Sequence, residues 1–273
     1  MATEPRADSA GATDSTNVPH SGHSRRSFLS RGLAVASGLV LAGCDRLSQS
    51  EWFPKALSKA ESLNRVAQRA VTTRTSMAQE FAPADRSPTF RSNGTSSPQD
   101  PAYQAMAATN FEQYSLQIGG LVANPAAFTL AQLRALPSRT QITRHDCVEG
   151  WSAIAQWQGA RLSALLAHVQ PLPTAKYVVF YCADPMSGTG SKYYESIDME
   201  DANHPQTLLA YEINDAPLPI ENGAPLRLRV ERQLGYKQAK YIMRIELVSS
   251  FAHIAGGQGG YWEDQGYEWY AGI

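Results

Sequence analysis

The chain has 273 residues, of which 43% are hydrophobic and 18% are charged, and its formal net charge is −1. This length accommodates one large domain or two small ones, and the nearly balanced charge gives no support for a nucleic-acid partner or for binding to an anionic membrane surface. The three cysteines, Cys44, Cys147 and Cys182, are too few and too unlike in context for a disulfide framework, a c-type haem site or an iron–sulfur cluster.

The N-terminal segment is typical of an export signal. Residues 1–23 are polar, and Ser24-Arg25-Arg26-Ser27-Phe28-Leu29 precedes an apolar stretch from Leu33 to Gly43. That stretch is shorter than the roughly 20 residues that span a bilayer, but a charged segment followed by a short apolar core describes a signal peptide. The paired arginines resemble the twin-arginine export signal. The alternative is an amphipathic helix that carries two arginines by chance.

The end of this segment resembles the lipobox of bacterial lipoproteins, in Leu41-Ala42-Gly43-Cys44. The resemblance implies that Cys44 is acylated and becomes the mature N-terminus, and that Asp45 retains the protein at the inner membrane. A small apolar cysteine that merely ends the signal is the alternative. We therefore expect a signal segment over residues 1–44 and a periplasmic, lipid-anchored protein. Because the twin-arginine route carries folded proteins, it also favours a cofactor inserted before export.

Residues 45–105 are rich in Ser, Thr, Pro and Gln. Ala56 to Ala70 could form one helix, whereas Ser87-Pro88 and Ser92 to Pro101 are typical of a flexible tether. We expect the folded domain to occupy residues 106–273.

Within that domain, strand and helix patterns alternate. Period-two spacing predicts a strand over Tyr114–Ile118, Thr129 can cap a helix that ends at Ala135, and the leucine spacing predicts a helix over Arg161–Val169. Further strands are predicted at Arg139–Arg144, Lys176–Cys182, Tyr193–Ile197, Leu208–Ile213, Leu226–Val230 and Tyr241–Val248. Many strands with a few short helices favour an α+β fold, a β-rich domain with mixed sheets.

The segment Arg144-His145-Asp146-Cys147-Val148-Glu149-Gly150-Trp151 resembles the cofactor-ligand segment of the sulfite oxidase superfamily, in particular its bacterial periplasmic members, which include the methionine sulfoxide reductase catalytic subunit. The resemblance implies a molybdopterin cofactor whose molybdenum binds the thiolate of Cys147. A soft thiolate suits that metal, and a cation such as Arg144 would favour the deprotonated sulfur. The alternative is a buried structural cysteine in a strand, which is how we interpret Cys182.

Three downstream segments resemble the same family, in the same order. In Asn222-Gly223-Ala224-Pro225-Leu226-Arg227 the resemblance implies that Asn222 and Arg227 hold the pterin. The alternative is an ordinary Asn-Gly turn before a strand, which would explain Asn222 and Gly223 but not Arg227. In Gly235-Tyr236-Lys237-Gln238-Ala239-Lys240 it implies that Gln238, Ala239 and Lys240 receive the cofactor's phosphate; the alternative is two lysines on a solvated loop. Trp262-Glu263-Asp264-Gln265-Gly266-Tyr267 resembles the C-terminal signature. The resemblance covers about residues 108–273.

The chain also departs from its relatives. It lacks the Arg-Asn-His segment of vertebrate and plant sulfite oxidases, and Asn110-Phe111-Glu112 is the loose match expected to supply upstream cofactor contacts. It lacks the dimerisation and haem domains of those enzymes, which implies a monomer with an external electron partner, a membrane cytochrome being the candidate. His145 can support the ligand or lie on the opposite face of its strand.

These features predict an exported molybdenum–pterin enzyme that transfers oxygen atoms and two electrons. The absent Arg-Asn-His segment favours a reductase acting on an S- or N-oxide or a sulfoxide. Sulfite oxidation by a dehydrogenase of the same family is the alternative direction. A metal-free lipoprotein that kept the fold as a binding module is the alternative from another class.

Overall fold

The computed structural model of the protein describes residues 75–186 and 191–273, together with residues 50, 52–53, 63, 66–70 and 73. The predicted signal segment and Cys44 therefore lie outside the described residues. The chain divides into two units, residues 1–60 and 61–273. In the first unit Trp52 and Phe53 are helical and their rings meet edge to face. No helix among the described residues is long and apolar enough to cross a membrane.

Ten strands build two sheets in the second unit. They are β1 (Ser115–Gly120), β2 (Ala126–Thr129), β3 (Ser138–Asp146), β4 (Ser152–Arg161), β5 (Tyr177–Pro185), β6 (Lys192–Asp198), β7 (Leu208–Ile213), β8 (Ala216–Pro217), β9 (Arg227–Arg229) and β10 (Ile242–Val248). One sheet has the order β2-β1-β10-β5-β6 and is mixed, because β1 and β10 are parallel. The other has the order β3-β4-β7-β8, with β9 also pairing with β7, and is antiparallel.

Among the described residues, helix α1 (Pro101–Ala108) precedes the first strand, and three short helices lie between strands: α2 (Leu130–Ala135), α3 (Leu162–Val169) and α4 (Met199–Ala202). The helix predicted after Thr129 is confirmed, since the Thr129 hydroxyl accepts from the Gln132 amide at 3.2 Å and the Gln132 side chain accepts from the Thr129 amide at 2.9 Å. The leucine face of α3 is confirmed as well, with Leu162, Leu165 and Leu166 in the main core. The α+β class with a mixed sheet is confirmed.

The predicted strands are all present, with ends displaced by a few residues, but the short strands β2 and β8 and the long strand β4 were missed. Its inward residues include Ala153, Ala155 and Gly159, whose small side chains give a weak period-two signal around the single large residue Trp157. Of the helix predicted over Ala56–Ala70, residues 66–70 are described and are helical.

Part of the segment expected as a flexible tether packs against the domain. The Phe81 amide donates to the Ile142 carbonyl and the Ser87 amide donates to the Ile154 carbonyl, both at 2.9 Å, so this segment runs beside β3 and β4. Helix α1 follows this segment. It begins at Pro101 because the Asp100 side chain caps it by accepting from the Tyr103 amide at 3.0 Å and because proline suits the first turn.

Candidate active site

The turn after β3 presents Cys147 at the surface of the domain. The Cys147 amide donates to the Trp151 carbonyl at 2.9 Å, and the Gly150 amide donates to the Cys147 carbonyl at 3.0 Å. Gly150 has φ +83°, a left-handed conformation that favours glycine. This closed turn leaves Cys147 half-buried with a free thiol, while Cys182, also free, is buried within the mixed sheet.

Cys147 lines a cleft with about 770 Å³ of space that opens to solvent. The lining residues come from five parts of the chain and are Asn93, Gly94, Thr95, Cys147, Val148, Glu149, Asp184, Met186, Tyr193, Gly235, Tyr236, Gln238, Ala239, Lys240, Trp262 and Tyr267. Among the residues predicted from the sequence, the structure brings Cys147, Gln238, Ala239 and Lys240 together in this cleft. The contributions of Asn93, Gly94 and Thr95, and of Asp184 and Tyr193, were not predicted.

Beneath the cleft lies Arg227, which is fully buried. One of its guanidinium nitrogens donates to the Asn222 carbonyl at 3.2 Å, but Nε and Nη2 have no hydrogen-bond partner among the described residues, and neither has Nδ2 of Asn222. Burial and the neighbouring Arg229 lower the pKa of Arg227 to about 9. Unpartnered buried donors next to a buried cation fit an anionic, hydrogen-bond-accepting group.

Lys240 is held by a segment that crosses the cleft. We call residues 87–98 the strap. The Lys240 ammonium donates to the carbonyls of Asn93 at 2.7 Å and Thr95 at 2.5 Å in the strap, and to that of Glu221 at 3.0 Å. Burial and Arg227 lower the pKa of Lys240 to about 7. The Lys240 ammonium therefore binds backbone carbonyls, two of them in the strap, whereas the sequence motif implied that it binds a phosphate.

Two groups of predicted residues are not brought to the cleft. Arg144 lies on the exposed face of β3, where its side chain pairs with Asp146 at 2.9 Å. Asn110 and Phe111 form the turn after α1 with φ of 50° and 61°, which sends Phe111 into the core beside Tyr103. Asn110 and its neighbour Glu112 are exposed at the end of α1. Of the residues that precede β1, the cleft is lined by Asn93, Gly94 and Thr95 of the strap and not by residues 110–112.

His145 supports the cleft from the buried face of β3. Its Nδ1 lies 3.1 Å from Nη1 of Arg229, and because a guanidinium only donates, Nδ1 is the acceptor and Nε2 carries the ring proton. Burial and the nearby Arg227 lower the pKa of His145 well below its usual range, so the ring is neutral. Nε2 therefore points towards Gly235 as a donor.

Arg229 in turn depends on Glu231. The guanidinium donates to the two carboxylate oxygens at 2.9 and 2.5 Å, and both side chains are fully buried. We expect Glu231→Gln to destabilise the fold by about 3–5 kcal/mol, because it leaves the Arg229 charge uncompensated in the interior. Urea unfolding of Glu231→Gln and of the exposed control Glu112→Gln measures the difference. Equal unfolding midpoints for the two variants would contradict this account.

The burial of the Cys147 thiol raises its pKa above the ordinary value, and the charges of Arg91 and Arg227 oppose that rise. A coordinated metal ion deprotonates a thiol outright. The site thus offers one soft sulfur ligand at the cleft, with unpartnered amide and guanidinium donors below it. These features fit a sulfur-bound metal attached to an anionic organic group.

Comparison with known proteins agrees with this geometry. The family model described as the oxidoreductase molybdopterin binding domain matches residues 103–253. A protein of Azospira oryzae, named as a proposed protein-methionine-sulfoxide reductase subunit YedZ1, is 37% identical over 248 residues, which are 91% of this chain and 87% of that protein.

Two further relatives are protein-methionine-sulfoxide reductase catalytic subunits, MsrP, of Xanthomonas axonopodis pv. citri and Xanthomonas campestris pv. campestris. They are 35% and 34% identical over 165 residues, and each match covers 57% of this chain and 51% of the relative. Among solved structures, the sulfane dehydrogenase SoxCD from Paracoccus pantotrophus matches with a TM-score of 0.46 and 25% identity, over 51% of this chain and 39% of that one. The chain is a molybdopterin-dependent oxidoreductase and belongs to the family defined by the oxidoreductase molybdopterin binding domain.

Proposed function

We propose that this chain is the catalytic subunit of an exported reductase that removes the oxygen of a sulfoxide, with the methionine sulfoxide side chain as its preferred substrate and an external redox protein as its electron donor. The names of the Azospira and Xanthomonas relatives support this substrate class. The observation that carries the proposal is the chemistry of the cleft wall around Cys147.

That wall is apolar and aromatic. Val148, Met186, Trp262 and Tyr267 line the cleft, and the rings of Trp262 and Tyr267 lie 5.4 Å apart. A sulfoxide is uncharged and is flanked by alkyl carbons, so such a wall binds it well. Sulfite is an anion and needs a free cationic group on the cleft lining. Lys240 is the one cation among the described lining residues, and it is bonded to three carbonyls, while Glu149 adds a carboxylate.

The chain's own residues can be given roles in this reaction. When bound, the molybdenum–pterin group supplies a metal that changes its oxidation state by two electrons. Cys147 would be its protein ligand, while Asn222, Arg227 and the backbone of residues 238–240 would hold the pterin and its phosphate. The aromatic wall would orient the alkyl arm of the substrate and exclude water. The reaction consumes two electrons and two protons, breaks the S–O bond and releases the thioether and water.

We further propose that the chain reaches the periplasm folded and stays at the inner membrane through a lipid on Cys44. The twin-arginine match at residues 24–29 and the lipobox at residues 41–44 support this location. A periplasmic enzyme of this kind would meet oxidised proteins of the envelope directly.

One assay tests the reductase against the dehydrogenase. Purified, molybdenum-loaded protein is given reduced viologen dye with methionine sulfoxide, and separately sulfite with an oxidised dye. We expect dye oxidation with methionine sulfoxide and no dye reduction with sulfite. Trp262→Ala should raise the KM for methionine sulfoxide more than it lowers kcat, because it removes binding surface. Sulfite oxidation without sulfoxide reduction would replace the proposal by the dehydrogenase.

The packing of Gly235 against His145 gives a prediction about cofactor retention. A Cβ at Gly235 would lie 2.5 Å from Nε2 of His145 and 2.6 Å from its Cε1, and Arg229 prevents the ring from moving away. We expect Gly235→Ala to cost about 1–3 kcal/mol through overpacking and to displace residues 235–240. The variant should be purified with less molybdenum and pterin than the wild type. Gly119→Ala is the control, since nothing lies within 4 Å of its added Cβ. Equal metal content in the two variants would contradict the prediction.

A further inference from the structure

Three ionisable side chains that were given no role at the cofactor meet in the interior beside the cleft. The Lys237 ammonium donates to Glu195 Oε1 at 2.5 Å and to Glu263 Oε1. All three side chains are completely buried. We call Glu195, Lys237 and Glu263 the buried triad. It joins β6 to the loop after β9 and to the C-terminal segment.

The triad has one ammonium group for two carboxyl groups. Two ionised carboxylates would leave an uncompensated negative charge in the interior, which is costly. Burial and the neighbouring Glu263 carboxylate raise the pKa of Glu195 well above its usual range, against the opposing charge of Lys237. Tyr193 and Cys182 also face Glu195, while Tyr194 neighbours it from the other face of β6. All three are neutral at physiological pH, since burial raises the pKa of each. Glu195 is therefore the protonated member of the triad.

The two oxygens of Glu195 differ in their hydrogen bonds, beside the hydrogen bond that its carboxyl group shares with Glu263. Glu195 Oε1 accepts from Lys237 and from the Ser196 amide at 2.7 Å, so it is occupied. Glu195 Oε2 lies 3.5 Å from the hydroxyl oxygen of Tyr193. The single proton of Tyr193 is donated to the Tyr236 carbonyl, which leaves its oxygen free to accept from Oε2. Tyr193 itself lines the cleft.

We infer that the buried triad stores a proton on Glu195 and that Tyr193 passes it into the cleft during sulfoxide reduction. The inference rests on the proposed function. Glu195 gives its proton to the Tyr193 oxygen while the hydroxyl proton of Tyr193 leaves the carbonyl of Tyr236, which also lines the cleft, and combines with the oxygen leaving the sulfoxide. This accounts for one of the two protons that form water, and the other comes from solvent at the open side of the cleft. Both electrons come from the external redox protein.

The test compares isosteric variants in the loaded enzyme. Glu195→Gln keeps both hydrogen-bonding positions but has no proton to give, and Tyr193→Phe removes the relay. We expect both to lower turnover by about 100-fold, the lower end of what a positioned proton donor contributes. We expect turnover of the wild type to fall at high pH, where Glu195 ionises, and we expect Glu195→Gln to lose that fall. Tyr194→Phe is the matched control, because its hydroxyl bonds Asp264 at 2.6 Å on the other face of the strand.

Glu263→Gln gives a second, opposite signature. With Glu263 neutral, Lys237 stabilises the charged form of Glu195, so the high-pH fall in turnover should move to lower pH. A purely structural triad would leave the pH profile unchanged in every variant that folds. Unchanged profiles in Glu195→Gln and Glu263→Gln, or an equal loss in Tyr194→Phe, would overturn the inference.

A measurement without substrate separates this inference from the proposed function. Stopped-flow reduction of the molybdenum-loaded protein by reduced methyl viologen, whose one-electron oxidation releases no proton, reports the rate of proton uptake when a pH indicator is followed at a separate wavelength. We expect slower uptake in Glu195→Gln and Tyr193→Phe than in Tyr194→Phe and the wild type. If proton uptake is slower in these two variants but the protein reduces no sulfoxide, the relay stands and the proposed substrate is wrong. Equal uptake rates in a protein that does reduce methionine sulfoxide would reject the relay alone.

Discussion

Cys147→Ser is expected to yield folded protein that keeps its pterin but turns over more slowly than the wild type, by more than the roughly 10–100-fold that loss of a supporting outer residue costs at a metal site. The serine oxygen is a harder ligand than the thiolate and makes the metal more difficult to reduce. The turn around residue 147 should be retained, because its bonds are between the backbone groups of Cys147, Gly150 and Trp151.

Three measurements on Cys147→Ser separate ligand loss from misfolding: pterin content, molybdenum content and dye-linked turnover. Cys182→Ser is the control, since Cys182 is the other cysteine of the described domain and lies buried in β5, paired with Ile242. It should retain turnover if it folds. Wild-type turnover in Cys147→Ser would show that the thiol is not the metal ligand.

The Arg25→Lys, Arg26→Lys double variant is expected to accumulate in the cytoplasm as a precursor that already contains its cofactor. The twin-arginine pathway distinguishes arginine from lysine at this position although both carry the same charge. Cell fractionation with an antibody against the folded domain, together with molybdenum analysis of the cytoplasmic fraction, measures the effect. Arg31→Lys is the matched control, because Arg31 lies beside the pair but outside the match.

Normal periplasmic processing of the double variant would instead point to the general export route, which carries unfolded chains. The lipid is tested separately by Cys44→Ala, which should abolish labelling by a radioactive fatty acid and the membrane retention of the exported protein. Labelling that persists in Cys44→Ala would remove the lipobox interpretation.

Much of the fold was predictable, because its elements carry a hydrophobic period. The helix over Leu162–Val169 and the strand over Leu208–Ile213 bury their apolar residues as the spacing indicates. The face of β3 was not predictable, since it buries Gln141, Thr143 and His145. Because both faces of β3 carry polar residues, no hydrophobic period indicates which face is buried. The sequence placed Arg144 at the site, although its side chain lies on the exposed face, and it left the face of His145 undecided.

The site was predictable where a motif lies in one short segment, as at Cys147 and residues 238–240. It was not predictable where distant segments meet. Asn93 and Thr95 stand in a Ser- and Pro-rich stretch whose composition is that of a tether. They are held at the cleft by bonds from Lys240 and, for Thr95, also from the Tyr241 hydroxyl at 2.7 Å. Lys237 also lacked a signal, because nothing near it in the sequence shows that Glu195 and Glu263 neutralise it in the interior.

The strap has a practical consequence for where the functional unit begins and ends. The family match covers residues 103–253, yet Asn93, Gly94 and Thr95 before it and Trp262 and Tyr267 after it also line the cleft. A fragment cut to the limits of the match would keep Cys147, Arg227 and Lys240 but would lose both of these parts of the cleft lining and expose the site to solvent there. The smallest fragment of this chain that keeps every described segment of the cleft lining therefore runs from the start of the strap, at residue 87, to at least Tyr267.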